Sequence, residues 1–166
     1  LIRGIPRTVY QKNEKFFVIT QIAYGVGVFV HCIATVLFYH YQVSEMVCLN
    51  IFISIPIFIS ALILNYKGYH NSAYAIVFVE LLGHQALSIY FIGWAFGIQY
   101  WLVFLMALSF FNVNWRISLK MACFVIVWVA FVLLYIFFGD TQFETSASKF
   151  EAKAIFLLIS SIALML

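Results

Sequence analysis

Charged residues are scarce in this chain of 166 residues: they make up 9% of it, whereas soluble domains carry about a quarter. Apolar residues make up 66% of the chain and the mean hydropathy is +1.06. A chain of this composition cannot cover a water-facing surface with polar groups, which excludes a soluble globular protein. Disordered chains are polar and highly charged, so disorder is excluded by the same observation. The composition therefore predicts a protein surrounded by the lipid bilayer.

Cysteine and the usual catalytic motifs are also scarce. The three cysteines, Cys32, Cys48 and Cys123, have a spacing that fits no disulfide or metal pattern, so we interpret them as small buried hydrophobic residues. The chain has no glycine-rich phosphate loop, nucleophile elbow or HExxH motif. The net charge of +3 flanks apolar runs instead of forming a basic patch. This pattern indicates membrane orientation and not a nucleic-acid partner.

Long apolar runs, nearly free of charge, divide the chain into six predicted transmembrane helices. A spanning helix needs about 20 residues. After a tail at residues 1–15, the predicted spans are residues 16–38, 44–65, 72–91, 97–111, 117–138 and 152–166. The sixth is still apolar at Leu166, so we expect it to be truncated there and to continue beyond that residue. Pro56 lies in the middle of the second span and is expected to kink it. The expected fold is an all-α, polytopic membrane bundle of six helices.

The basic residues predict the orientation of this bundle. Three segments fall on one side of the membrane and carry seven basic residues: Arg3, Arg7, Lys12, Lys15, Lys67, Arg116 and Lys120. The other side has two, Lys149 and Lys153. Since short loops rich in Lys and Arg stay in the cytoplasm, we expect both termini there.

Ionisable residues inside the predicted spans are the first pointer to a site, because they are costly in hydrocarbon. Glu80 and His84 are four residues apart in the third span and share a helix face, with Ser88 one turn further. One interpretation is a buried hydrogen bond between Glu80 and His84, or from either to another span. The other is a ligand, proton or metal site. The spacing alone leaves both open.

A second histidine lies at a similar depth in the first span. His31 shares a face with Gln21, Tyr24 and Thr35. With a rise of about 1.5 Å per residue, His31 and His84 differ in depth by about 5 Å. Two such histidines could ligate one haem b, with Glu80 orienting His84. The alternative is two packed histidines that form hydrogen bonds across helices.

The other polar residues receive structural interpretations. In the second span a face of small and amide residues, Asn50, Ser54, Ala61 and Asn65, is typical of helix–helix packing. Lining of a ligand cavity is the alternative for this face. His40 and His70 are expected in solvated loops.

Two stretches carry a family resemblance: Gly83-His84-Gln85-Ala86 through Gly93-Trp94, and Gly97-Ile98-Gln99-Tyr100-Trp101-Leu102. They resemble the six-helix membrane domains that precede bacterial class III adenylate/guanylate cyclases. In those domains a third helix with a histidine is followed by a G-W-x-x-G-[FI]-Q-Y-like turn. A fourth helix then ends in a double phenylalanine, which here is Phe110-Phe111. Ile98 stands where phenylalanine is common. Outside residues 83–111 the likeness is limited to span number and topology.

The resemblance implies a membrane anchor and sensory domain of a nucleotide cyclase in the bacterial inner (plasma) membrane. It also implies a homodimer, since class III active sites form between two catalytic domains. A cytoplasmic catalytic domain after residue 166 would convert ATP to cAMP with Mg²⁺ or Mn²⁺, and this segment would hold no catalytic residue. Related membrane modules precede diguanylate cyclase domains, so the output stays open. A haem-binding, cytochrome-like redox protein or sensor and a small transporter or channel subunit also stay open.

A ligand-binding site follows from the resemblance and the polar residues together. The ligand would be a small or lipidic molecule held inside the bundle. The residues expected to bind it are Tyr24, His31, Glu80, His84, Ser88, Gln99 and Tyr100. The two histidines are also the possible haem ligands.

Overall fold

The computed structural model describes residues 14–112 and 115–139, and these residues form helices and turns without any strand. The helices are α1 (Glu14–His40), α2 (Ser44–Leu49), α3 (Ile55–Tyr66), α4 (His70–Ile92), α5 (Tyr100–Phe110) and α6 (Ile117–Phe138). A π-helical turn at Asn50–Ser54 joins α2 to α3, and a 3-10 turn at Trp94–Phe96 precedes α5. The all-α class is confirmed for this part of the chain.

Four helices are long and apolar enough to cross a membrane: Glu14–His40, Ser44–Tyr66, His70–Ile92 and Ile117–Phe138. The second of these is one continuous helical segment made of α2, the π-helical turn and α3. The predicted span at residues 97–111 is a shorter apolar helix, α5, with 11 residues, because the turn before it takes the first three positions. The predicted tail up to residue 13 and the span at 152–166 lie outside the described residues.

The main apolar core joins α1, α3, α4, α5 and α6, and a smaller apolar cluster lies around Phe38, Met46 and Ile92. α1 packs on the second span, α3 packs on α4, and α4 contacts both α5 and α6. Aromatic residues from three helices, Phe16, Tyr24, Phe58 and Tyr74, lie at the centre of the main core. α6 is peripheral, since Val127 is its only buried residue.

The outer face of the bundle is apolar, as expected of a surface in contact with lipid. Phe29, Phe52 and Val79 are all at least 65% exposed. The cysteines lie on this face too: Cys32 and Cys48 are exposed and Cys123 is half-buried. Their interpretation as buried residues was therefore wrong. A cysteine side chain is apolar enough to face hydrocarbon, which is why its presence in an apolar run does not predict burial.

Pro56 was expected to kink the second span, and that kink stays a prediction; the structure has a π-helical turn, Asn50–Ser54, just before the proline. A proline ring clashes with the carbonyl four residues earlier in an α-helix, which here belongs to Phe52. The wider π-helical turn precedes the proline and includes that carbonyl. Asn50 and Ser54 point into the bundle and are fully buried. Such turns occur frequently at functional sites.

A close approach between α1 and α3 gives a first testable prediction. A Cβ atom on Gly27 would overlap the Phe58 ring, whereas one on Gly25 would meet no atom within 4 Å. We expect Gly27→Ala to lower the free energy of unfolding by about 1–2 kcal/mol through overpacking. Gly25→Ala is the matched control and should be neutral or slightly stabilising, because alanine favours the helix. Thermal unfolding in detergent micelles, followed by tryptophan fluorescence, compares the two. Equal melting temperatures would contradict the close packing.

Candidate functional site

Asn50 is the centre of a buried polar cluster that joins three of the long apolar helices. Its Oδ1 atom lies 3.0 Å from Nδ1 of His31 in α1 and 2.9 Å from Nε2 of His84 in α4. Its amide nitrogen donates to the backbone oxygen of His31 at 3.5 Å. The π-helical turn therefore ties α1 and α4 to the second span through one amide group.

The hydrogen bonds define the tautomers of the two histidines. An amide oxygen only accepts, so both facing ring nitrogens donate to Asn50 Oδ1. The other nitrogen of His84, Nδ1, lies 3.2 Å from Ser88 Oγ and accepts a hydrogen bond from that hydroxyl. The two imidazoles are in edge contact, with ring centroids 4.7 Å apart and planes inclined by 81°. The cluster is consistent with two neutral imidazoles.

Glu80 lies next to this cluster but is not part of its hydrogen bonding. It is 6% exposed, and neither carboxylate oxygen has a hydrogen-bond partner among the described residues. Of the two hydrogen bonds considered from the sequence, the direct bond between Glu80 and His84 is absent, and His84 is instead linked to another span through Asn50. Ser88 takes the other His84 nitrogen. The Ser54 hydroxyl lies near the carboxylate without a hydrogen bond of good geometry. A buried carboxylate without a donor is costly.

The three ionisable residues nevertheless lie within reach of one ion. One ligand atom each from His31, Glu80 and His84 lies within 4.8 Å of the other two. All three side chains are buried. Imidazole nitrogens and a carboxylate oxygen are common ligands of transition metals.

Two cavities adjoin the cluster, and His84 lines both. The first, of about 60 Å³, lies between α1, α3, α4 and the α5 region, and Tyr24, His31 and Gln85 also line it. The second is an apolar groove of about 560 Å³ between the second span and α4, and it reaches Glu80. Sites for organic ligands usually measure about 300–1,000 Å³. The first cavity is therefore the size of a few water molecules, and the second is wide enough for an apolar chain.

The remaining predicted site residues differ in whether they lie at the cluster, on a cavity or away from both. Tyr24 is buried on the first cavity, and Ser88 is buried beside His84. Gln99 is buried in the turn before α5 but lines neither cavity. Tyr100 is 52% exposed and also lines neither cavity. The structure thus groups four predicted residues, His31, Glu80, His84 and Ser88, places Tyr24 on the adjoining cavity, and leaves Gln99 and Tyr100 apart.

Sequence reasoning missed the role of Asn50 and misplaced His70. Asn50 was interpreted as a packing residue, yet it holds both histidines. His70 was expected in a solvated loop, but it is buried at the start of α4, with Nδ1 2.7 Å from Asn65 Oδ1. Asn65 also donates to Gln21 Oε1 at 2.8 Å. A second polar network therefore joins the same three helices away from the first. His40 is exposed at the end of α1.

The arrangement of the histidines bears on haem binding. Both rings contact the same Asn50 oxygen, so ligation of one haem by His31 and His84 requires the flat porphyrin ring to lie between them in place of that oxygen. Haem ligation stays a prediction, and a Soret band in the absorption spectrum of the purified protein would establish it.

Comparisons with known proteins identify no family for this chain. No family model, no curated protein and no solved structure matches it.

Proposed function

We propose that the chain is a membrane-anchoring and sensory domain, and that the cluster of His31, Asn50, His84 and Ser88 with Glu80 is its sensing site. The observation that supports this most is the unpartnered Glu80 carboxylate beside a hydrogen-bonded cluster drawn from three helices. Packing alone requires no ionisable residue in the membrane, and such residues usually mark a functional site.

The cluster offers a simple means of transmission. A ligand that binds the facing nitrogen of His31 or His84 competes with the hydrogen bonds that these rings donate to Asn50 Oδ1, which tie α1 and α4 to the second span. Breaking or tightening these bonds changes how the three helices sit against one another. A ligand shifts such an equilibrium only by binding the two arrangements unequally. Each tenfold shift requires about 1.4 kcal/mol of differential binding.

The resemblance at residues 83–111 supports a nucleotide cyclase as the output. In this proposal the domain has six spans, forms a homodimer in the bacterial inner membrane and has both termini in the cytoplasm. A catalytic domain after residue 166 then makes cAMP from ATP. A diguanylate cyclase domain is the alternative output.

Nucleotide production tests this function. The chain with its native downstream sequence is expressed in cells that lack their own cyclases, and cAMP and cyclic di-GMP are measured. We expect cAMP, and we expect His84→Ala to change its level about tenfold, the effect of about 1.4 kcal/mol. The matched control is His40→Ala, since His40 is exposed outside the cluster.

The possible results separate the output from the site. Cyclic di-GMP without cAMP would replace the adenylate cyclase output by the diguanylate cyclase output. If the cells make no cAMP and no cyclic di-GMP, both outputs are overturned. An unchanged cAMP level in His84→Ala would overturn the assignment of the cluster as the sensing site.

A further inference from the structure

We propose that His31, Glu80 and His84 bind one divalent transition-metal ion, and that Zn²⁺ fits this ligand set best. The inference deepens the proposed function, because it names the ligand of the same site. Metal binding itself can be measured on the purified protein without any signalling output.

The first support for a metal site is the type of the three ligand atoms and the distances between them. Two histidines and one glutamate form a known zinc ligand set with an open fourth position. Zn–N distances of about 2.0–2.1 Å place neighbouring ligand atoms about 3.3 Å apart in a tetrahedral site. The three ligand atoms here lie within 4.8 Å of one another. Side-chain movements of about 1 Å, well within those seen at interfaces on binding, therefore bring them to a common ion.

The unpartnered carboxylate of Glu80 is the second, independent observation. Neither of its two oxygens accepts a hydrogen bond of good geometry within the described residues, the nearby Ser54 hydroxyl included, although the side chain is only 6% exposed. A metal ion supplies the positive charge that would compensate this buried carboxylate. The two imidazoles are neutral in the hydrogen-bonded arrangement and need no further counter-charge.

Ser88 and Asn50 are placed to support such a site. Metal binding through His84 Nε2 moves the ring proton to Nδ1, which then donates to Ser88 Oγ across the existing 3.2 Å contact. Metal-bound histidines usually make this kind of bond with their other nitrogen. His31 undergoes the same shift from Nδ1 to Nε2, so neither imidazole loses a proton. The Asn50 oxygen between the two nitrogens is a possible fourth ligand.

The size and chemistry of the site separate a metal ion from other ligands. The cavity of about 60 Å³ beside His31 and His84 is much smaller than pockets for organic ligands, at about 300–1,000 Å³, and the larger groove that reaches Glu80 is lined mostly by apolar side chains. Mg²⁺ and Ca²⁺ prefer ligand sets made of oxygen. Imidazole favours zinc, copper, iron and nickel. The ligand atoms therefore favour a transition metal over a hard cation, and the two cavities offer few further polar groups for a polar organic molecule beyond Tyr24 and Gln85.

Direct metal binding tests the proposal on the full chain in nanodiscs, after treatment with EDTA. We expect one Zn²⁺ per chain by mass spectrometry of the dialysed protein, a higher melting temperature with Zn²⁺, and neither effect with Mg²⁺. Co²⁺ should give the visible absorption bands of a tetrahedral site. Glu80→Gln, which keeps the size of the side chain, and His84→Ala should each weaken Zn²⁺ binding by at least about 100-fold.

Matched controls distinguish this site from adventitious binding. Glu45 and His40 are exposed residues outside the cluster, so Glu45→Gln and His40→Ala should bind Zn²⁺ as the wild type does. No Zn²⁺ in the wild type, or full binding in both cluster variants, would overturn the metal site. The nucleotide assay stays separate: a His84→Ala effect on cAMP without any Zn²⁺ binding would overturn the metal proposal and support the sensing site.

Discussion

Replacing Asn50 with leucine should lower the free energy of unfolding by about 3 kcal/mol, the largest loss that we expect from one substitution in the described part of the bundle. The variant removes the one oxygen that accepts from both His31 Nδ1 and His84 Nε2. A buried donor without a partner costs about 1–3 kcal/mol. Hydrogen bonds between membrane helices average about 0.6 kcal/mol and reach about 1.7, because the unfolded chain in a membrane also finds partners. The variant leaves two ring N–H donors without a partner. The expected loss of about 3 kcal/mol is therefore near the lower end of the cost of two buried donors and near the upper end of two hydrogen bonds between membrane helices.

A double-mutant cycle separates this effect from a change in packing. In a His84→Phe background only His31 is left without its acceptor, so Asn50→Leu should cost about half as much there. Denaturant unfolding in mixed micelles, followed by tryptophan fluorescence, gives the four free energies. Cys48→Ala is the control, since Cys48 is exposed in the helix that leads into the π-helical turn. Equal losses in both backgrounds would show that the leucine acts through packing and not through His84.

The positions of the helices were largely accessible from the sequence. Apolar runs nearly free of charge mark them, and α6 covers the residues of the predicted span at 117–138. α5 is shorter than its prediction because the chain completes a glycine-bounded turn first. Gly93 and Gly97 adopt φ values of 98° and 75°, a region that favours glycine. The sequence shows these glycines, but not how many residues the turn consumes.

The cluster was accessible in part, because its histidines and Glu80 stand out as ionisable residues in apolar runs. Asn50 was not, because an amide in an apolar helix is as typical of packing as of a site. Helical periodicity also assumes 3.6 residues per turn, and the π-helical turn changes the direction of the side chains. His70 was misplaced because Gly68 and Tyr69 before it suggest a loop, whereas its burial depends on Asn65, which precedes the turn.

Gln99 and Tyr100 show the limit of reasoning from a motif. They were assigned to the site because they follow the histidine helix in the resemblance. The turn before α5 buries Gln99 and directs Tyr100 outwards. Neighbouring residues at a helix start face different directions, so proximity in a motif does not predict a shared cavity.

Replacing Glu80 with leucine should raise the free energy of unfolding of the metal-free protein by about 1–3 kcal/mol, an effect opposite in sign to that of Asn50→Leu. A polar group that is buried on folding without a hydrogen-bond partner costs about 1–3 kcal/mol. Glu80 recovers none of this through hydrogen bonds within the described residues. Leucine removes the carboxylate and places an apolar side chain against the groove walls, which include Ile53, Ile57 and Leu87. The empty site lowers the stability of the fold, and this loss is the cost of keeping a carboxylate that can bind a ligand.

The measurement is thermal unfolding with EDTA and with Zn²⁺. With EDTA, Glu80→Leu should melt above the wild type. Zn²⁺ should raise the melting temperature of the wild type and leave the variant unchanged, because only the wild type binds the ion. Val79→Leu, at a neighbouring position that is 70% exposed, should match the wild type in both conditions. A Glu80→Leu protein that melts below the wild type in EDTA would contradict the argument, since a carboxylate that stabilises the metal-free fold must have a donor of its own.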